Sequence, residues 1–110
     1  MGITMKFGSE HIAELVKRVV NSVSPLRIIL FGSAGQGRMR ANSDFDILVI
    51  VANGVHRRQT VQLIYRGLAG FGIATDVIVA TVGDIKKYGN NFSLIYQSAL
   101  QEGREIYHAA

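Results

Sequence analysis

The connection between two apolar runs limits the folds open to this chain. Residues 26–31 (Leu-Arg-Ile-Ile-Leu-Phe) and residues 44–52, which open Asp-Phe-Asp and continue as Ile-Leu-Val-Ile-Val-Ala, are both β-rich and short. Between them lie Gly32, Ser33, Gly35 and Gly37, then Arg38 and Arg40, a stretch that reads as a helical turn near residues 33–37 followed by a loop. A right-handed parallel crossover needs about a dozen or more residues and usually a full helix. A loop-like link does not fit one, so the sheet is expected to be mixed rather than of the dinucleotide-binding parallel type.

The rest of the chain alternates helix and strand. Ile12, Leu15, Val16, Val19 and Val23 repeat at helical spacing from Ser9, with Ser9 and Glu10 suited to the first turn and Pro25 closing the element. On this pattern His11 falls on the exposed side. Asn53-Gly54 marks a turn, and residues 56–69 read as a second helix with Val61, Ile64, Tyr65 and Leu68 inward and Arg57, Arg58 and Arg66 on a solvated face. Residues 73–80 form a third strand, residues 81–84 a turn into a short helix through Lys87, residues 93–102 a last helix, and residues 104–107 a short edge strand. The expected fold class is α/β, a small mixed β-sheet flanked by helices, in a single domain over residues 1–110.

Composition sets further bounds. At 110 residues, nearly half of them apolar, the chain can build one core. It has no cysteine, which rules out disulfides and thiolate chemistry, and its three histidines, His11, His56 and His108, show no zinc-ligand spacing. No apolar run approaches the roughly 20 residues of a membrane span, and the first residues lack a signal-peptide core, so a cytoplasmic location without membrane contact is expected. The net charge of +4 and pI of about 9.8 favour anionic partners such as nucleotides. No block of like charges points to nucleic acid as the main partner. The high mean hydropathy of +0.22 leads us to expect an apolar face covered by a partner or by a second copy in a homodimer.

The acids are few, and three of the eight lie in or beside apolar strands: Asp44, Asp46 and Asp76. Carboxylates at i and i+2 of a strand point to one side, and like charges held together call for a cation. An aspartate within residues 73–80 is disfavoured by strand propensity and costly if buried unpaired. If the third strand neighbours the second, Asp76 joins the pair. Gly32-Ser33 at a strand end offers phosphate a close backbone approach and a hydroxyl.

Gly32-Ser33, Gly37, then Ser43-Asp44-x-Asp46 before an apolar strand, with a third aspartate on a later strand, resembles the DNA polymerase β-like nucleotidyltransferase superfamily. The short length, and an ending that runs Phe92-Ser93-Leu94-Ile95 through Ala99-Leu100-x-Glu102-Gly103-Arg104-x-Ile106-Tyr107, is similar to its minimal nucleotidyltransferase branch. The resemblance implies that Asp44, Asp46 and Asp76 are catalytic and hold two Mg²⁺ ions. It also implies that Gly32 and Ser33 bind the triphosphate of ATP or another NTP, and that a nucleoside monophosphate, AMP above all, moves to a hydroxyl. It further implies a HEPN-domain protein encoded nearby as partner and acceptor, with this chain as the antitoxin of the pair. One departure is Ala34, where minimal members often carry arginine; Arg38 and Arg40 are the loop cations available for that role. The alternatives are a non-catalytic antitoxin that masks its partner and a small-molecule transferase of the aminoglycoside type.

Overall fold

The computed structural model describes residues 9–32, 45–88 and 101–109. Within them the order is α1 (Ser9–Val23), β1 (Arg27–Phe31), β2 (Phe45–Val51), α2 (Arg57–Gly67), β3 (Thr75–Thr81), α3 (Val82–Tyr88) and β4 (Arg104–His108). The leading residues 1–8 lie outside the described residues, as does the expected helix over 93–102 except Gln101 and Glu102, which are helical.

The strands form one sheet in the order β3-β2-β1-β4. β1 runs antiparallel to both β2 and β4, while β2 and β3 are parallel and are joined through α2. The sheet is therefore mixed, as expected; the link over residues 33–44, with its expected helical turn and loop, lies outside the described residues. β4 takes the edge beside β1, with a register shift between Ile28 and Ile29.

Strand alternation divides the core into two. On one side Ile28, Leu30, Phe45, Ile47, Val49, Val51 and Val79 are buried against Leu15 and Val19 of α1 and Ile64 of α2. On the other, Ile29, Phe31, Leu48, Ile50 and Ala80 form a second cluster joined by Ile78 and by Ile85 of α3. Each such aliphatic side chain contributes about 1.5–3 kcal/mol by burial. This two-sided burial explains why β2 is a nearly unbroken apolar run: it is central and covered on both faces.

Helix packing on the first face depends on one close approach. A Cβ at Gly67 would lie 2.0 Å from Ser22 Oγ and 3.4 Å from the Arg18 carbonyl, so glycine lets α2 pass this near α1 without turning the Ser22 hydroxyl away from its bond to that carbonyl. Arg18 of α1 donates to the carbonyls of Gly67 (3.2 Å) and Ala69 (2.8 Å) at the end of α2, pairs with Glu14 (2.7 Å), and lies 5.7 Å from the centre of the Phe71 ring. A cation on terminal carbonyls satisfies orphan acceptors and complements the helix dipole.

Two side chains depart from the helical pattern. Tyr65 was expected inward but is 45% exposed, because its ring reaches past the core to the rim, where its hydroxyl accepts the Val77 N–H at 3.1 Å. His11, expected at the surface, is half-buried.

The start of α3 is a capping box. Asp84 N–H donates to Thr81 Oγ1 and Thr81 N–H donates to Asp84 Oδ2, both at 3.0 Å. That backbone donor, aided by the Thr81 hydroxyl and the Arg57 guanidinium, holds the Asp84 carboxyl below the usual aspartate range. Arg57 Nη1 lies 3.0 Å from Asp84 Oδ2 and so ties α2 to α3. Thr81→Ala is expected to lower stability by about 1 kcal/mol in urea denaturation at neutral pH. Because the folded value is depressed, the contribution of Asp84 is complete above its unfolded pKa and disappears as pH falls through the lowered one. The gap between Thr81→Ala and wild type should therefore narrow in strong acid.

Candidate active site

Register brings two of the predicted aspartates together. Asp46 of β2 and Asp76 of β3 are direct partners in the parallel ladder, so their side chains lie on the same face of the sheet about 4.8 Å apart at the backbone. That face is the one carrying Leu48, Ile50, Ile78 and Ala80. Asp46 is half-buried and Asp76 exposed, which leaves the pair open to solvent on one side. Both stand near the starts of their strands, where apolar cover gives way to polar surface.

Gly32 is the third component. Phe31, the last residue of β1, is the ladder partner of Asp46, so the chain leaving β1 passes directly over the Asp46 carboxylate. Gly32 has φ of +70°, and a Cβ there would lie 2.5 Å from Asp46 Oδ2. Both the left-handed backbone and the contact exclude a side chain. The effect is to set a bare stretch of backbone against a carboxylate.

Ser33, Arg38, Arg40 and Asp44 lie outside the described residues. Among the described residues no group of three Asp, Glu or His side chains converges. What does converge is a pair of hard carboxylate oxygens facing one way. That donor chemistry fits a divalent cation of the Mg²⁺ type better than a transition metal, and it matches the low histidine and absent cysteine content. No described helix is long and apolar enough to cross a membrane.

Two contacts at the outer edge of β3 were not read from the sequence. Tyr65 and Asp84 both cap outward N–H groups of β3. The Thr81-x-x-Asp84 spacing is a legible signal for the second; no local pattern announces the first, since it depends on where α2 lies over the sheet.

No curated protein sequence matches the chain. Solved structures do. A chain of a toxin–antitoxin complex with AMP-PNP aligns with a TM-score of 0.66 and 19% identity, covering 89% of this chain and 73% of that one. A structure of the tri-AMPylated HEPN toxin of Shewanella oneidensis with its MNT antitoxin gives a TM-score of 0.61 at 15% identity, over 91% and 71% of the two chains. The toxin–antitoxin pair MntA–HepT gives 0.61 at 16%, over 91% and 72%. At these identities the likeness establishes the fold. The family rests on a sequence model for the nucleotidyltransferase domain that matches residues 12–106, nearly the whole chain, and this protein therefore belongs to the nucleotidyltransferase domain family.

Proposed function

We propose that this nucleotidyltransferase moves AMP from ATP to a hydroxyl of a HEPN-domain protein encoded nearby, and that it serves as the antitoxin of that pair. The observation that carries the reading is the Asp46–Asp76 register pair beneath the side-chain-free backbone of Gly32. The solved structures of similar fold support the choice of donor and acceptor, since one holds AMP-PNP and another an AMPylated HEPN toxin with its MNT antitoxin.

In this reading Gly32 lets the triphosphate approach the backbone, and Ser33 adds a hydroxyl donor. Asp46 and Asp76, with Asp44, would hold Mg²⁺, which when bound offsets phosphate charge and favours the ionised acceptor hydroxyl. Asp76, the more exposed carboxylate, faces the acceptor and receives its proton. The acceptor oxygen bonds to the α-phosphorus, the α–β P–O bond breaks, and pyrophosphate leaves with the electron pair. Arg38 and Arg40 are the loop cations assigned to the phosphates where Ala34 offers none.

Incubation with α-labelled ATP, Mg²⁺ and the neighbouring HEPN-type product tests this directly. Label is expected on the partner protein, and none when Asp44 is replaced by asparagine. Absence of label with the wild-type chain overturns the proposal.

A further inference from the structure

We propose that the outer edge of β3 and the first turns of α2 form a docking groove for an acidic, extended segment of a partner protein. Among the described residues β3 is the end strand of the sheet, so one side of its backbone has no neighbouring strand. Successive residues of a strand direct their backbone groups to alternate sides. The N–H of Val77 goes outward to the Tyr65 hydroxyl and that of Thr81 outward to Asp84 Oδ2. Val79, midway between, therefore presents its N–H and carbonyl to the same side, and no side chain among the described residues caps them. The open stretch is bounded at both ends by Tyr65 and Asp84, which limits strand pairing to about three residues.

A groove of about 910 Å³ lies over that stretch, lined by His56, Arg57, Arg58, Val61, Gln62 and Val79. Its charge is one-sided. Arg57 is held by Asp84, but Arg58 has no carboxylate partner among the described residues. The first turn of α2 contains no acid to offset the positive end of the helix, whose cap is the His56 ring accepting the Gln59 N–H at 3.3 Å. The uncapped outward N–H and its carbonyl at Val79 suit an extended polypeptide, Val61 and the 7% exposed surface of Val79 supply apolar floor, and the unmatched cation selects carboxylates.

The identity of the partner rests on the reading that the acceptor hydroxyl arrives on another protein chain; the groove itself does not. Val79 lies three residues along β3 from Asp76, about 10 Å. Because Val79 and Asp76 face opposite sides of the sheet, a segment docked here would reach the carboxylate pair only by continuing around the β3 edge.

The test is amide-resolved NMR on the ¹⁵N-labelled full chain, titrated with the peptide acetyl-Glu-Val-Glu-Val-Glu-Val-amide, with its lysine counterpart, and with hexathymidylate. The acidic peptide is expected to shift Arg58, Val61 and Val79, and Arg58→Glu to weaken it by about tenfold or more, with the spectrum otherwise native. Three results overturn the proposal: no shift at Val79, equal binding of the lysine peptide, or hexathymidylate occupying the same amides as tightly as the acidic peptide. Neither ATP nor Mg²⁺ is present, so failure here leaves the AMP-transfer assay standing. Failure of that assay likewise leaves peptide binding measurable.

Discussion

Replacing Asp46 or Asp76 by asparagine is expected to lower nucleotidyl transfer by about 10²–10³-fold, the scale for removing one preorganised electrostatic element from a reaction centre. The fold should not suffer with it. Asp76 is exposed on β3 and stands beside a like charge, and directly opposed like charges destabilise a sheet by roughly 0.2–1 kcal/mol. Asp76→Asn removes that repulsion, so in metal-free buffer its denaturation midpoint should match or exceed that of wild type. Activity lost while stability is kept or raised is the signature of a pair maintained for chemistry. Wild type should gain thermal stability from Mg²⁺, because a ligand that binds only the folded state stabilises it, and Asp76→Asn should gain less. If Asp46→Asn keeps full transfer activity, the carboxylate pair is not the reaction centre. If it loses transfer yet neutralises the partner as well as wild type does, neutralisation works by masking and the non-catalytic antitoxin reading prevails.

How far this site could be read from the sequence follows from which contacts are local. The alternation of Asp46, Leu48 and Ile50 against Phe45, Ile47 and Val49 is a property of one strand, and both apolar faces of β2 are found covered. The helical stripe of Ile12, Leu15, Val19 and Val23 is equally local, and Leu15 and Val19 are fully buried. The approach of Asp76 to Asp46 is not local. It depends on β3 pairing with β2 rather than with β4, and on a register set by α2, where a slip of one residue would turn Asp76 to the opposite face. Sequence could state the consequence of that pairing only as a condition. Tyr65 marks a different limit. A 3.6-residue period assigns a direction to a side chain but not a reach, and a long amphipathic ring on the border of the apolar stripe is free to satisfy its hydroxyl at a strand edge. Arg57 is similar: its solvated helix face is real, yet it meets Asp84 from a helix that lies on the far side of β3 in sequence. The left-handed backbone of Gly32 is one that glycine permits but its residue type alone does not specify, and its contact with Asp46 depends on the β1–β2 register.

That contact makes Gly32→Ala the most damaging small substitution we expect at this end of the sheet, for two separable reasons. An alanine at φ +70° costs about 1–2 kcal/mol in backbone strain alone. The added methyl also falls 2.5 Å from Asp46 Oδ2, closer than real atoms approach, so the carboxylate must swing off its position beside Asp76. A displacement of about 1 Å at a reacting centre is enough for roughly 10²-fold in rate. Stability by urea denaturation and transfer rate should therefore fall together, unlike the Asp76→Asn result. A double-mutant cycle separates the causes. In an Asp46→Ala background the clash has no partner, and Gly32→Ala should cost only the strain, leaving a coupling energy of at least about 0.5 kcal/mol between the two positions. Additive effects, with no coupling, would mean that the Gly32 backbone does not bear on the Asp46 carboxylate; the space above that carboxylate would then be open for reasons other than the missing side chain.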